Sequence, residues 1–445
     1  MALTGLEIYK LLPKKNCGEC GPPTCLAFAM SLAAGKASLE TCPYVSDDAK
    51  EALGSASAPP IKLVKIGAVE KVVELGDETV LFRHDKTFFH PTGIAFEVED
   101  SLSETELNQK LADINALEFD RVGLHYDVDM VAVKQTGDAT QFKQAVEKVA
   151  AGTKLALVLM TENADAAGQA LEVCKGKNPL LYGATEGNFN EMTELAKKYN
   201  VPLGVKGDDI FKLSDLVEKI TALGHKDLVI DSGARGTSQV LADLTEMRRA
   251  AIKKKYRPFG YPTVAFATAA DPMEEIMQAQ VYISKYASMV VLKTTAKHFV
   301  LPLLTWRQNL YTDPQKPIQV EAKIYEVGNV TADSPVYLTT NFSLTYFSVE
   351  GEVEGSKVPA YIIPVDTDGT SVLTAWAAGK FSAEKIAEVI NTIGIAEKVN
   401  HREVILPGYV AVLSGKLEEK SGWKVIVGPR EAAAIPAFAK GRYGA

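Results

Sequence analysis

Between residues 61 and 312, short apolar runs rich in β-branched residues alternate with longer segments of helical period. The apolar runs predict eight strands, at 80–85, 122–127, 155–161, 179–185, 201–207, 227–233, 263–268 and 288–295. The predicted helices include 104–117, 142–151, 188–199, 213–223, 241–253, 272–286 and 298–311. Strands that are each followed by a helix, over about 250 residues, predict a (β/α)8 TIM barrel. Continuous apolar runs fit strands buried on both faces. A doubly wound open sheet is the structural alternative.

Residues 318–445 repeat strand and helix on a smaller scale. The predicted strands are 336–340, 360–364, 403–406 and 424–427, and the predicted helices are 343–349, 371–378, 383–392, 409–417 and 431–439. This pattern indicates a small, open, Rossmann-like α/β sheet, which binds ligands at the carboxyl ends of its strands. Three of those ends, 339–341, 366–374 and 428–434, are rich in glycine, alanine and hydroxyl residues, which let a backbone approach a bulky ligand.

No nucleotide-binding motif identifies the ligand of this sheet. The sequence contains neither a Gly-x-Gly-x-x-Gly after a strand nor a Gly-x4-Gly-Lys-Ser/Thr loop. It also lacks the Asp-x-His-x-x-Gly pattern with which many corrinoid domains supply a histidine to cobalt. We interpret His401 as a solvated loop histidine. The residues alone therefore predict an α/β unit with an unknown ligand.

Four of the five cysteines lie near the start of the chain, as Cys17-x2-Cys20-x4-Cys25-x16-Cys42 followed by Pro43. In a reducing compartment, thiolates at this spacing share a soft metal centre rather than form disulfides. Three cysteines within nine residues favour a 4Fe-4S cluster, with a four-thiolate structural zinc as the alternative and unligated thiols as a third possibility. Helices are predicted at 4–13, with Thr4 as cap, and at 24–34. The fifth cysteine, Cys174, fits a small packing residue.

Proline- and small-residue stretches at 54–60 and 311–317 predict linkers, so we expect three domains: 1–57, 61–312 and 318–445. The composition, 47% apolar and 23% charged, is that of a globular protein. A net charge of −8 argues against general nucleic-acid binding. Met1–Leu12 does not read as a signal peptide, and no apolar run is long enough to span a bilayer. We expect a cytoplasmic protein.

Polar residues follow the predicted barrel strands, where barrels bind ligands. They are His84, Asp85, Asp127, Thr161, Glu162, Glu186, Asn188, Lys206, Asp208, Asp231, Ser232, Gly233, Thr268, Asp271, Lys293 and Thr294. They contain no metal-ligand pattern and no nucleophile–base pair, so no catalytic residue is predicted. Helix capping or subunit contact and small-molecule binding both remain open.

The run Asn-Cys-Gly-Glu-Cys-Gly-Pro-Pro-Thr-Cys at 16–25, Cys42-Pro43, the central barrel and the 366–374 loop together resemble the large (gamma) subunit of the corrinoid iron–sulfur protein of the reductive acetyl-CoA (Wood–Ljungdahl) pathway. The resemblance covers the whole chain in domain order. The cysteine run alone is less specific, because electron-transfer subunits of membrane redox complexes contain a similar one.

The resemblance implies two cofactors. The 4Fe-4S cluster would be bound by Cys17, Cys20, Cys25 and Cys42. A base-off cobamide, without a protein histidine on cobalt, would lie between a smaller barrel subunit and the carboxyl-terminal domain. Its implied contacts are Thr340, Tyr346, Gly369, Thr370, Ser371, Val372, Leu373, Thr374, Gly428, Pro429 and Ala433.

The resemblance also implies the chemistry of a methyl carrier. Cob(I)amide would take a methyl group from methyltetrahydrofolate on a separate methyltransferase and deliver it to acetyl-CoA synthase/CO dehydrogenase. The cluster, reduced by a reductive activator or ferredoxin, would return oxidised Co(II) to Co(I). Two alternatives remain: a pterin-binding methyltransferase barrel, and an iron–sulfur electron-transfer subunit without corrinoid.

Overall fold

A computed structural model describes residues 5–33, 37, 39–46, 49, 59–121, 123–313 and 317–444. Its contacts divide the chain into two compact units. The first comprises residues 1–118 and 127–311, and the second comprises 119–126 and 312–445. The first unit contains both the cysteine region and the barrel, and the second contains a separate α/β sheet together with a short hairpin.

Eight parallel strands form the barrel of the first unit: β3 (Gly93–Glu99), β6 (Met130–Lys134), β7 (Ala156–Met160), β8 (Leu180–Ala184), β9 (Leu203–Lys206), β10 (Leu228–Asp231), β11 (Val264–Phe266) and β12 (Met289–Leu292). Their spatial order is β10-β9-β8-β7-β6-β3-β12-β11. A parallel bridge between Ile230 and Thr263 joins the two outer strands, so the sheet closes on itself. The TIM barrel is therefore confirmed, and the open doubly wound sheet is excluded.

The helices that follow the barrel strands span Glu104–Asn115, Ala139–Gly152, Ala164–Val173, Phe189–Tyr199, Ile210–Ala222, Thr237–Lys253, Pro272–Ser284 and Lys297–Tyr311. Five of them are capped by the side chain of the residue that precedes them, namely Ser103, Asp138, Asn163, Asp209 and Asp271. An antiparallel hairpin, β1 (Val64–Ala68) and β2 (Lys71–Leu75), precedes the barrel. Its Val64, Ile66, Val73 and Leu75 are buried in one cluster with inward residues of the barrel, such as Met130. The hairpin thus closes one end of the barrel core.

Two predicted barrel strands are wrong. Residues 80–85 form turns and bends, and the first barrel strand is β3. The predicted strand at 122–127 overlaps an antiparallel hairpin, β4 (Phe119–Arg121) and β5 (Leu124–Tyr126), which belongs to the second unit, and β6 takes the second place in the barrel. Charged residues obscured β3 and β6. Glu97 within β3 pairs with Lys134 and Lys293, and Asp129 before β6 pairs with Arg307, all distant in sequence.

The cysteine region begins with two short helices, Gly5–Leu11 and Cys25–Ala33. Ile8 and Phe28 of these helices share a small core with Leu12, which directly follows the first helix. Cys25 and Cys42 are buried in the same core, and a 3-10 turn at Leu39–Thr41 leads directly into Cys42. The core of this region is therefore built around two of the four predicted ligands.

The sheet of the second unit has five strands: β13 (Tyr325–Val327), β14 (Val336–Thr340), β15 (Ala360–Val365), β16 (Glu403–Leu406) and β17 (Lys424–Val427). Their order is β13-β15-β14-β16-β17, parallel except for β13. The helices span Ser343–Ser356, Val372–Ala377, Ala383–Thr392, Ile395–Lys398, Ser414–Ser421 and Ile435–Tyr443. Two apolar cores line the two faces of the sheet, as an open α/β sheet requires. The Rossmann-like prediction is confirmed.

Some predictions concern residues outside the described part of the chain. These are the Thr4 cap, the end of the second helix at Ala34, most of the first linker (54–58) and the middle of the second linker (314–316). The three predicted domain boundaries remain predictions.

Candidate cofactor sites

The cysteine loop is shaped by two glycines in the left-handed backbone region and by the side chain of Asn16. Gly18 and Gly21 have positive φ angles of 75° and 98°, and the Gly21 amide donates to the Gly18 carbonyl at 3.0 Å. Asn16 fastens the loop to the following helix: its side-chain oxygen accepts from the Cys25 amide at 2.8 Å, and its own amide points at the Cys25 sulfur at 3.4 Å. An amide directed at a sulfur stabilises a thiolate and tunes a cluster bound through it.

Three of the four thiols interact with one another. Burial raises the pKa of Cys20, and the Cys42 thiol, within hydrogen-bond contact, raises that pKa further, with a smaller contribution from Cys17. Cys17 is exposed and Cys25 is buried. Among the described side chains, no group of three or more His, Cys, Asp or Glu is tight enough to hold a single metal ion.

The second unit contains a cavity of about 410 Å³ where β14 and β16 separate. The chain runs from β14 to β15 on one side and returns to β16 on the other, so this is the topological switch point of the sheet, where open α/β folds bind ligands. Only Tyr337 and Ile405 pair across these strands. Beyond that pair Leu338, Thr339 and Leu406 line the opening.

Buried hydroxyl groups without partners mark this cavity as a site for a polar ligand. Tyr337 and Thr339 line it, and neither hydroxyl has a hydrogen-bond partner in the described structure. Thr340, next in the strand, is likewise fully buried and unpartnered, although it does not line the cavity. Burial raises the pKa of Tyr337, so its hydroxyl remains a proton donor. A buried polar group left unpaired is costly, and a ligand that supplies the missing partner removes that cost.

Five of the eleven predicted contacts line this cavity: Ser371, Val372, Leu373, Gly428 and Pro429. The other six, Thr340, Tyr346, Gly369, Thr370, Thr374 and Ala433, do not. Tyr346 lies in the core, with its ring 4.5 Å from that of Tyr325 and its hydroxyl bonded to Glu350. Lining residues absent from the prediction include Leu344, Thr345, Ser348, Tyr409, Arg430 and Glu431. Arg430 and Glu431 lie within the predicted strand end 428–434. The other four lie in or near helices and 3-10 turns that follow the strands, where no local pattern points to a ligand.

The predicted loop at 366–374 is held in place by Asn341. The Asn341 side-chain oxygen accepts from the Thr367 and Gly369 amides at 2.9 and 3.2 Å, while its nitrogen donates to Asp366 at 3.0 Å. Gly369 has a φ of 69°, and an added Cβ would stand 2.7 Å from Gln319. The loop therefore presents Ser371 and the residues after it to the cavity from a fixed position.

The predicted polar residues of the barrel divide between two ends. Thr161, Glu162, Lys206, Thr268 and Lys293 line a cavity at the carboxyl ends of the strands. Asp271 caps the helix Pro272–Ser284, and Asp208 pairs with Lys212. His84, Asp85 and Asp127 precede β3 or β6 and so belong to the amino ends, which is a correction caused by the two misplaced strands. The same error concealed Glu97 and Lys134, which line the cavity.

Together these features define the class of protein: a thiolate metal module joined to a TIM barrel, and a Rossmann-like unit with a ligand cavity at its switch point. Residues 63–439 match the family described as CO dehydrogenase/acetyl-CoA synthase delta subunit, and residues 12–44 match a family of Fe-S cluster modules. The chain belongs to the family of corrinoid/iron–sulfur protein large subunits, as the sequence resemblance predicted.

The relatives are similar along their full length. The corrinoid/iron-sulfur protein large subunit of Moorella thermoacetica is 59% identical over 99% of both chains. The acetyl-CoA decarbonylase/synthase complex subunit gamma of Methanothermobacter thermautotrophicus is 35% identical over 98% of both chains. The subunit of the same name from Archaeoglobus fulgidus is 35% identical over 97% of this chain and 96% of its own. In the described residues, no helix has the length and hydropathy that a bilayer crossing requires.

Proposed function

We propose that this chain is the cofactor-bearing subunit of a methyl carrier, with a base-off cobamide at the switch-point cavity and a 4Fe-4S cluster on Cys17, Cys20, Cys25 and Cys42. One observation carries the proposal: a chain 59% identical over its whole length to a corrinoid/iron-sulfur protein has a cavity with unpartnered hydroxyls where an α/β sheet binds its ligand.

When bound, the cobamide would supply nucleophilic cobalt that accepts a methyl group from methyltetrahydrofolate and gives it to acetyl-CoA synthase, and the cluster would supply the electron that restores oxidised cobalt. The chain itself contributes binding and shielding. Tyr337 and Thr339 would donate to polar groups of the ligand. An added Cβ at Gly428 would stand 2.8 Å from Ile405, so glycine at this position lets the segment after β17 pack closely against β16 at the edge of the cavity.

The side chains around the cavity are consistent with cobalt free of a protein histidine. No histidine is among the described residues that line it. His401 is engaged elsewhere in the unit, its Nε2 lying 3.0 Å from the Ser334 carbonyl oxygen. A cobalt without a strong lower donor is easier to reduce, because Co(I) sheds axial ligands. The missing imidazole therefore suits a carrier that must be returned to Co(I).

The partners follow from the relatives, two of which are named as subunits of an acetyl-CoA decarbonylase/synthase complex. We propose a heterodimer with a small TIM-barrel subunit, which visits a methyltetrahydrofolate:corrinoid methyltransferase and acetyl-CoA synthase/CO dehydrogenase. A reductive activator or ferredoxin would deliver electrons through the cluster. We place the protein in the cytoplasm.

The test is cobalt and iron quantification, with an absorption spectrum, on protein purified without oxygen together with its natural partner subunit. We expect one cobalt and four irons per chain and corrinoid bands above an iron–sulfur shoulder. Iron without cobalt would overturn the proposal in favour of an electron-transfer subunit. Tight methyltetrahydrofolate binding by this chain alone, without cobalt, would favour a pterin-binding methyltransferase.

A further inference from the structure

The rim of the cysteine loop carries two opposite charges, Lys15 and Glu19, that share one aromatic ring. The Lys15 ammonium nitrogen lies 3.7 Å from the centre of the Tyr44 ring, and the Tyr44 hydroxyl donates to the Glu19 carboxylate at 2.9 Å. An ammonium over an aromatic face is attracted by the negative charge density of the ring. Tyr44 therefore holds one charge against its face and the other at its hydroxyl. We call these three residues the Tyr44 clamp.

The backbone on both sides of Lys15 is fixed in an uncommon conformation. Lys14 and Asn16 have positive φ angles of 57° and 50°. This region is unfavourable for lysine, so it persists only where the surrounding structure determines it. Directly after Lys15, the Asn16 side chain holds the chain by accepting from the Cys25 amide at 2.8 Å. The contact that fixes the chain next to Lys15 thus also fixes a proposed cluster ligand.

The Tyr44 clamp lies beside the proposed cluster ligands. Glu19 stands between Cys17 and Cys20 in the sequence, and Tyr44 follows Cys42 by two residues. The pKa of the Tyr44 hydroxyl is raised, chiefly by Glu19, then by partial desolvation, and further by the charges of Cys17 and Cys42. Between exposed groups such an influence is screened beyond a Debye length, roughly 10 Å at 0.1 M salt. The charges that Tyr44 holds are therefore near these two thiols.

These charges would act on a group that is itself charged. A cluster bound through four thiolates is anionic, and its reduction adds one electron supplied by the donor protein. A fixed cation nearby favours the reduced form and raises the reduction potential, whereas a fixed anion lowers it. Lys15 and Glu19 are exposed, so solvent and salt weaken both effects without removing them.

The inference rests on the 4Fe-4S cluster of the proposed function. We propose that Tyr44 is a positioning residue, which holds Lys15 and Glu19 where their charges shift the reduction potential of that cluster in opposite directions. The clamp thereby adjusts how readily the cluster accepts the electron that it passes on to oxidised cobalt.

The test is a redox titration of the protein purified without oxygen together with its partner subunit, with the reduced cluster followed by electron paramagnetic resonance. Lys15→Gln should lower the midpoint potential, and Glu19→Gln should raise it. Each shift should change the oxidised-to-reduced ratio at least about threefold, which equals about 30 mV for one electron. Both shifts should shrink at high salt. Lys15→Arg, which keeps the charge and the ring contact, should retain the wild-type potential.

The matched control is Lys198→Gln. The Lys198 ammonium also lies over a tyrosine ring, 4.8 Å from the centre of Tyr199, but this pair belongs to the barrel. The control removes the same charge and the same type of ring contact at a distance from the cysteine loop, so the midpoint potential should not change.

Two substitutions of Tyr44 distinguish positioning from charge alone. Tyr44→Phe keeps the ring and loses the hydroxyl, so the effect of Lys15→Gln should persist in that background while the effect of Glu19→Gln falls to less than half. Tyr44→Leu loses both contacts, so both effects should fall to less than half. A merely structural clamp would alter stability or iron content but would not make the two charge effects depend on Tyr44 in this way.

Each outcome decides the proposal. Shifts of opposite sign that depend on Tyr44 and are absent from Lys198→Gln support it. Unchanged potentials in Lys15→Gln and Glu19→Gln overturn it, as do shifts that are equally large in the Tyr44→Leu background. Iron content per chain, measured in every variant, separates loss of the cluster from a change in its potential. A wild-type protein without iron would overturn the proposed cluster as well, whereas an intact cluster with unshifted potentials overturns this inference alone.

Discussion

Replacing Thr339 with valine gives opposite expectations for the ligand-free and the cobamide-bound protein. Valine has nearly the shape of threonine and removes one hydroxyl. That hydroxyl is fully buried, lines the cavity and has no partner in the described structure. An unpaired buried polar group costs about 1–3 kcal/mol. Thr339→Val should therefore stabilise the ligand-free protein by an amount in that range.

In the cobamide-bound protein, Thr339→Val should be unfavourable instead, if the ligand forms a hydrogen bond with this hydroxyl. A hydrogen bond contributes about 0.5–1.5 kcal/mol net, so the variant should lose roughly twofold to tenfold in cobamide affinity. Differential scanning calorimetry of the ligand-free protein measures the first effect. Equilibrium binding of a base-off cobamide, followed by its absorption, measures the second.

Thr193→Val is the matched control. Thr193 lies in the barrel helix Phe189–Tyr199, and its hydroxyl is equally buried and unpartnered. The control should raise stability without changing cobamide binding. If Thr339→Val left both quantities unchanged, the cavity would not be the site that these hydroxyls indicate. If it weakened binding no more than Thr193→Val does, the same conclusion would follow.

Three further predictions test other parts of the molecule. Cys42→Ser should remove cluster iron, because a proposed and buried cluster ligand is lost, while leaving cobalt content nearly intact. Simultaneous loss of cobalt would show that the two sites are not independent. Asp231→Ala should lower the free energy of unfolding by about 3 kcal/mol in urea titrations, since Arg235 would lose its buried partner, whereas Asp208→Ala, at an exposed pair, should show no measurable change. Burial raises the pKa of the Cys174 thiol to about 11, so the thiol loses its proton at lower pH in the unfolded chain than in the folded one. The free energy of unfolding should therefore fall by up to about 2.7 kcal/mol between pH 9 and 11. A Cys174→Ala variant should lack this part of the pH dependence.

The sequence by itself determined the iron–sulfur module at the start of the chain, the barrel class and the parallel sheet of the second unit. These signals are local: Cys17 to Cys42 lie within one short segment, and strands such as β7 to β12 are apolar runs that need no partner to be recognised. Family resemblance added the corrinoid, which no residue spacing in the second unit encodes.

Only the tertiary structure decided which strands begin the barrel and which residues face the cavities. β3 contains Glu97, and Asp129 precedes β6; their charges are acceptable only because lysines and an arginine far along the chain neutralise them. The predicted barrel strand at 122–127 instead contains β5, which pairs with β4 in a hairpin. Ion pairs and the closure of the barrel form between residues distant in sequence, so no local sequence pattern can predict them.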